Sequence, residues 1–361
     1  DWSSDVCSSD LGAAPEKTGN SIYLTIDRVI QEIAEDELAL GVKAAHAKKG
    51  FAIVSDPHTG RVLAIANYPN FDANASRTLK VSETRNSALL DIFEPGSITK
   101  PFLVSGAIEK NSTTPGEMHE CDKGALRVGK HTIHDTHGAE RLTTTDTVVR
   151  SSNICMYKIA QKFGRENTYK ALKSFGFGAR DTLLGFPGES TGRIADWSRW
   201  IPIRFANVAF GHGFVVTGLE LVQAMGALAN GGHLMKPTLI DRVVSYDGLV
   251  VTSTPTQTIG QPVSAATART MRGILRQVVT DPHGTGKNAQ ATGYTTAGKT
   301  GTAQKVDPGI KGYAKDKYIA SFVGFTPVDD PHLVIYVLID EPTQKLHTGA
   351  LAHTGGTWAA P

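Results

Sequence analysis

The sequence predicts an α+β fold: one antiparallel sheet built from both chain ends, flanked by helices, with a helical subdomain between the two contributions. Three observations carry this expectation. A hairpin signal comes early, in two apolar runs at 51–55 and 61–66 joined by the turn Asp56-Pro-His-Thr-Gly60. The middle, from 115 to 290, reads mainly as helices and turns. Strand signals then return at 294–303, 318–325 and 333–340, with 333–339 apolar throughout, as in a central strand covered on both faces.

Composition sets the outer bounds. A chain of 361 residues buries a large core, and 40% hydrophobic content with 37 glycines fits a mixed fold rich in turns. The net charge of +2 with no long basic run argues against nucleic acid as a partner. No stretch approaches the roughly 18–20 apolar residues of a membrane span, and no signal-peptide pattern is present. Residues 1–20 open on a small, polar segment unlike the rest of the chain and are read as a non-native or linker extension, leaving 21–361 as the folded domain. The three cysteines, Cys7, Cys121 and Cys155, give no paired framework. Cys155 is most simply a small core residue, and nothing in the sequence supports a Cys121–Cys155 bridge.

In chain order, apolar residues recur at Ile26, Ile30, Ile33, Ala34, Leu38 and Val42, the pattern of a long amphipathic helix over 26–48. The hairpin comes next, and 67–93 reads as a loop-rich crossing. The run 97–110 reads as a helix. Thr217-Gly-Leu-Glu220 is a capping-box pattern opening a helix through Leu228 that stops at Asn230-Gly-Gly232. A further helix is expected over 264–279.

The stretch Glu94-Pro-Gly-Ser-Ile-Thr-Lys-Pro101 carries the first chemical signal. Pro95-Gly96 makes a turn, and Pro101 is tolerated only near a helix start, so Ser97 sits at or beside the first turn. Positions three apart share a helix face, which sets Lys100 beside Ser97. A serine hydroxyl needs such a neighbouring base to become a nucleophile. Alone, this spacing is common by chance. Two more clusters make it informative: Ser151-Ser-Asn153 interrupts a helical region, and Lys299-Thr300-Gly301-Thr302 lies on an edge-type strand where Gly301 would allow close approach of a ligand.

Serine-x-x-lysine, serine-x-asparagine and lysine-threonine-glycine, in this order, mark serine β-lactamases and penicillin-binding proteins. On these residues the chain resembles the transpeptidase domain of class B penicillin-binding proteins, the peptidoglycan D,D-transpeptidases. The resemblance runs over roughly 20–361 and extends to Leu24-Thr-Ile-Asp27, Ala64-Ile-Ala-Asn-Tyr-Pro69, Gly185-Phe-Pro-Gly188, Gly211-His-Gly213 and Ala320-Ser-Phe-Val-Gly-Phe325. Its wording is closer to division (septal) members than to elongation members. Two departures stand out. Ile98 and Thr99 differ from the residues many relatives carry between the serine and lysine, at positions expected to face the core. After Gly355-Gly-Thr-Trp-Ala-Ala-Pro361 the family continues into a final helix, and its membrane anchor and non-catalytic domain lie upstream, so this chain reads as truncated.

The resemblance implies a penicillin-binding, serine β-lactamase-like fold and a set of roles. Ser97 would attack the penultimate D-Ala carbonyl of a stem peptide ending D-Ala-D-Ala, with an amine of a neighbouring stem peptide then taking the acyl group. Lys100 is the candidate base, and lowering its pKa from about 10.4 to about 7–8 costs about 4 kcal/mol. Ser151 would relay the proton, Asn153 would bond the substrate amide and Lys100, and Lys299, Thr300 and Thr302 would hold the terminal carboxylate. The N–H groups of Ser97 and Thr302 would form an oxyanion hole. No metal or other cofactor is implied. β-Lactam antibiotics are implied inhibitors. A glycosyltransferase and divisome proteins are implied partners through regions outside this chain, and the implied location is the bacterial inner (cytoplasmic) membrane with the catalytic domain on its periplasmic or extracellular side.

Several features carry blander readings. His131, His134 and His137 have ligand-like spacing without a fourth ligand, so a zinc site is not expected. Gly284-Thr-Gly-Lys287 lacks the full phosphate-loop pattern and reads as a flexible loop. Trp197 and Trp200 read as structural. The competing functions are a hydrolase (D,D-carboxypeptidase or β-lactamase), for which Glu189 is the residue to inspect, and a non-catalytic β-lactam sensor. The strand 333–339 is also expected to leave part of its outer face bare beside the first helix, as an exposed apolar patch.

Overall fold

The computed structural model describes residues 19–72, 74, 84–306, 309, 312–346 and 348–361. Cys7 and nearly all of the 1–20 extension lie outside them. Five strands form the central antiparallel sheet: β1 (Lys49–Ser55), β2 (Val62–Tyr68), β3 (Ala297–Val306), β4 (Tyr313–Thr326) and β5 (Leu333–Asp340). Their order across the sheet is β3-β4-β5-β1-β2. Both chain ends therefore supply one sheet, and β5 is its central strand. Its apolar run is explained by this position. Val334, Tyr336 and Leu338 join the main core, whereas Ile339 joins a second cluster on the opposite face.

Among the described residues the longer helices are α1 (Arg28–Ala44), α2 (Lys100–Glu109), α3 (Thr144–Val149), α4 (Asn153–Phe163), α5 (Arg165–Ser174), α6 (Pro202–Ala209), α7 (Gly218–Ala229) and α8 (Ala265–Thr280). Several start on a side-chain cap that supplies an acceptor to the free N–H groups. Asp27 caps α1, Ser152 caps α4 and Ser264 caps α8. Thr217 and Glu220 form the reciprocal capping box of α7: Glu220 N–H donates to Thr217 Oγ1 (3.2 Å) and Thr217 N–H to Glu220 Oε2 (2.9 Å). α7 is buried along its whole length, in keeping with its largely apolar sequence. The main core lies between it, α2, α4, α8 and the inner sheet face, and includes Phe51, Phe102, Phe175 and Tyr336.

Three expectations are corrected. The middle segment also carries small antiparallel pairs, such as Ala125–Val128 with His131–His134, whose strands are too short to show a period. Cys121 and Cys155 are bonded as a disulfide that ties the start of α4 to the segment before Asp122, so the absence of a paired framework does not hold. The outer sheet face is covered, not bare: Leu38 and Val42 of α1 and Ala359 and Ala360 of the terminal segment pack on Ala320, Phe322 and Ile339. Ile335 and Val337 are half-buried there.

Candidate active site

The nucleophile segment begins at Pro95-Gly96. Residues Gly96–Thr99 form a 3₁₀ turn, and α2 starts only at Lys100, so the single helix expected from Ser97 onward is divided. Pro101 explains the division. It has no N–H to give the Ser97 carbonyl four residues back, and the Lys100 N–H bonds that carbonyl instead. Such a turn eclipses residues three apart, which places Ser97 over Lys100. Ile98 and Thr99 are buried, in agreement with the sequence expectation.

Lys100 is fully buried with its three ammonium protons committed. They go to the Ser151 carbonyl (2.6 Å), Ser151 Oγ (3.1 Å) and Asn153 Oδ1 (2.8 Å). Ser151 meets it with two oxygens because its own backbone is left-handed, φ 62°, between the end of α3 and the cap of α4. For a serine this conformation is strained by roughly 1–3 kcal/mol. Lys299, also fully buried, donates to the same Ser151 Oγ at 3.1 Å. Burial pushes the Lys100 pKa down to about 7, with the Asp135 carboxylate opposing the shift. Burial and then the neighbouring Lys100 push Lys299 well below the usual lysine value. Among the described residues the Ser97 hydroxyl has no hydrogen bond to either amine or to Ser151. An amine that has lost a proton gains a lone pair, which is what allows Lys100 to accept from a hydroxyl.

The last motif's strand alternates as a strand must. Thr300 and Thr302 line the cavity, and Gly301 turns toward the nucleophile segment. A Cβ on Gly301 would come within 3.0 Å of Ile98 and 2.5 Å of Ser321 Oγ. Gly301 is therefore required for packing beside Ser97. Thr300 Oγ1 donates to Thr285 Oγ1 (2.7 Å), and Thr302 Oγ1 accepts from Gly355 N–H (3.2 Å).

Ser97, Ser151, Asn153, Thr300 and Thr302 share one open cavity of about 700 Å³, with Arg150, His137, His212, Lys287 and Tyr318 also on its walls. Among the described residues no carboxylate lines it. Glu189 is elsewhere, accepting N–H bonds from Leu183, Leu184 and Phe186 in its own loop. Among the described residues no group of three His, Cys, Asp or Glu could hold a metal ion. Trp200 is buried with its indole N–H on the Ala195 carbonyl, a structural placement.

Sequence reasoning missed three contributors. Asp135 accepts N–H bonds from Asn153 and Ile154 and the Ser152 hydroxyl (2.6 Å), so it fixes the turn that presents Ser151 and Asn153. The 284–287 loop is part of the cavity wall, with Gly286 N–H on the Val278 carbonyl (3.0 Å). Glu94 bonds His212, with Nδ1 to Oε2 at 2.8 Å. Only the last had a local signal, a carboxylate three residues before the serine.

A buried Ser-x-x-Lys turn, a left-handed Ser-x-Asn turn and a Lys-Thr-Gly edge strand around one cavity define the serine–lysine class of penicillin-interacting folds. The family model "Penicillin binding protein transpeptidase domain" matches residues 50–356, and the chain belongs to that family. It is 34% identical over 357 residues to the "Probable peptidoglycan D,D-transpeptidase PenA" of Neisseria meningitidis, covering 99% of this chain and 57% of that protein. The chain thus spans little more than half the length of that relative. Among solved structures, the apo transpeptidase domain of Burkholderia pseudomallei penicillin-binding protein 3 is 36% identical with a TM-score of 0.79, over 93% of each chain. Penicillin-binding protein 3 of Mycobacterium tuberculosis, complexed with aztreonam, is 34% identical with a TM-score of 0.87, over 94% of this chain and 77% of that one.

Proposed function

We propose that this domain is the catalytic part of a class B peptidoglycan D,D-transpeptidase of the division type, acting through a Ser97 acyl-enzyme and inhibited by β-lactams. The observation that carries it is the convergence of Lys100 and Lys299 on Ser151 Oγ, each at 3.1 Å. Ser97 attacks the penultimate D-Ala carbonyl of a stem peptide ending D-Ala-D-Ala. Neutral Lys100 takes the hydroxyl proton, and Ser151, bonded to both amines, passes it to the leaving D-Ala nitrogen. Asn153 holds the substrate amide, and Lys299, Thr300 and Thr302 bind the terminal carboxylate, whose charge favours a protonated Lys299. The N–H groups of Ser97 and Thr302 face the developing oxyanion, each worth about 2.7–4 kcal/mol. An acceptor amine then takes the acyl group. No metal is assigned a role.

The domain would work on the outer side of the bacterial inner membrane, anchored through a segment outside this chain and partnered there by a glycosyltransferase and divisome proteins. The Cys121–Cys155 disulfide suits that oxidising compartment. Glu189, held by its own loop and off the cavity wall, gives no support to the hydrolase reading. Product analysis with a D-alanyl-D-alanine stem peptide and an amine acceptor tests the proposal. Cross-linked product is expected, and release of free tetrapeptide alone would favour the carboxypeptidase.

A further inference from the structure

Transfer of an acyl group to an amine releases a proton that the Lys100–Ser151 pair does not absorb. An acceptor amine arrives as an ammonium ion, since alkylamines titrate near the lysine value of about 10.4. As its nitrogen bonds the acyl carbon and the bond to Ser97 Oγ breaks, two N–H protons leave. One returns to Ser97 Oγ through Ser151 and Lys100. The other must go to a second base before the nitrogen lone pair can attack.

His212 is placed for that task. It lines the same cavity as Ser97. Its Nδ1 bonds Glu94 Oε2 (2.8 Å), which also accepts from the Tyr313 hydroxyl (3.1 Å), while Glu94 Oε1 accepts from Gly213 N–H (2.8 Å). Gly96 N–H donates to the Gly211 carbonyl (2.9 Å), and a Cβ on Gly211 would lie 1.8 Å from Gly96 O. The histidine segment is thus locked against the residue preceding the nucleophile. Burial raises the Glu94 carboxyl, but the bonds from His212, Gly213 and Tyr313 outweigh it and hold the group below the usual carboxylate range. Burial and Glu94 push Tyr313 up, well beyond the usual phenol range, so it stays a neutral donor. Arg204 of α6 donates to Gly213 O (3.3 Å), and Arg150 and Lys287 are charged groups on the same cavity wall as His212. With Nδ1–H given to the Glu94 carboxylate, Nε2 is the ring nitrogen that carries the lone pair when the imidazole is neutral. Among the described residues Nε2 has no hydrogen-bond partner.

We propose that His212, oriented by Glu94, is the base that takes the surplus proton from the acceptor ammonium at the acyl-enzyme stage, an inference that rests on the transpeptidase reading. One N–H proton of the ammonium passes to Nε2, and the imidazolium is paired with Glu94. The freed lone pair attacks the acyl carbon, the bond to Ser97 Oγ breaks, and the second proton reaches Oγ. His212 then gives its proton to solvent or to the amine expelled in the next acylation, which needs one to depart as an ammonium ion.

The test compares two acceptors with a D-alanyl thioester donor: D-alanine, an ammonium at neutral pH, and methoxyamine, already a neutral amine. His212→Asn keeps an N–H for Glu94 and removes Nε2. The rate ratio of D-alanine over methoxyamine transfer should fall by about 10²-fold. Glu94→Gln, which leaves the imidazole in place, should lower the same ratio by a smaller factor. An unchanged ratio in both variants, whether or not the rates fall, overturns the proposal. A wild-type chain that transfers to neither acceptor would overturn the transpeptidase reading and this inference with it.

Discussion

Lys100 and Lys299 bring their side-chain nitrogens to one shared acceptor, Ser151 Oγ, each at 3.1 Å. Two buried amines this close cannot both stay charged without mutual repulsion, and burial depresses both. Because Lys100 is a base only when neutral, its reactivity should track deprotonation. The second-order rate of penicillin acylation should therefore rise with pH through an inflection near the Lys100 value of about 7. A rate flat from about pH 6 to about 8 would show that Lys100 does not titrate in the rate-limiting step.

Asp135 opposes the depression of Lys100 and braces the turn carrying Ser151 and Asn153. Asp135→Asn removes the charge that raises the lysine while keeping an acceptor for the turn. The inflection of the acylation profile should move to lower pH. Movement to higher pH, in a variant that still acylates, would mean that its charge does not act on Lys100.

Gly301 packs against Ile98 and Ser321, so Gly301→Ala must push the edge strand away from the nucleophile turn. Overpacking of this kind costs about 1–3 kcal/mol. The variant should lose that much stability in denaturant unfolding and acylate more slowly. Wild-type stability would show that the strand accommodates the methyl group.

The disulfide closes a loop with a sequence separation of 34, which corresponds to about 3–4 kcal/mol in the chain-entropy account. Cys121→Ser with Cys155→Ser should lower the unfolding midpoint markedly, and reductant should then leave the variant's midpoint unchanged. Equal midpoints for the wild type with and without reductant would remove the bridge from the stability account.

Much of the fold is legible because periodic patterns survive in sequence. The strand expected at 333–340 is Leu333–Asp340, since a buried central strand has to be apolar on both faces. The capping box at Thr217 and Glu220 is local and readable as such. The three motifs are readable individually, and the fold brings Lys100, Ser151, Asn153 and Lys299 together. The features that escape depend on long-range proximity. Asp135 meets Asn153 across 18 positions, Glu94 meets His212 across 118, and Cys121 meets Cys155 only through the folding of the intervening hairpin. Gly301 is legible only in part, because glycine in a strand has two explanations, a ligand or a packed neighbour, and the packing against Ile98 depends on long-range proximity.

The central claim is that Ser97 is the nucleophile of a slowly hydrolysed acyl-enzyme. The direct measurement is intact-protein mass after brief exposure to penicillin, with mapping of the modified peptide. One penicilloyl group per chain on Ser97, absent from Ser97→Ala and nearly absent from Lys100→Ala, is the predicted result. An adduct that survives Ser97→Ala, or penicillin consumed over many turnovers with no adduct retained, would contradict the account.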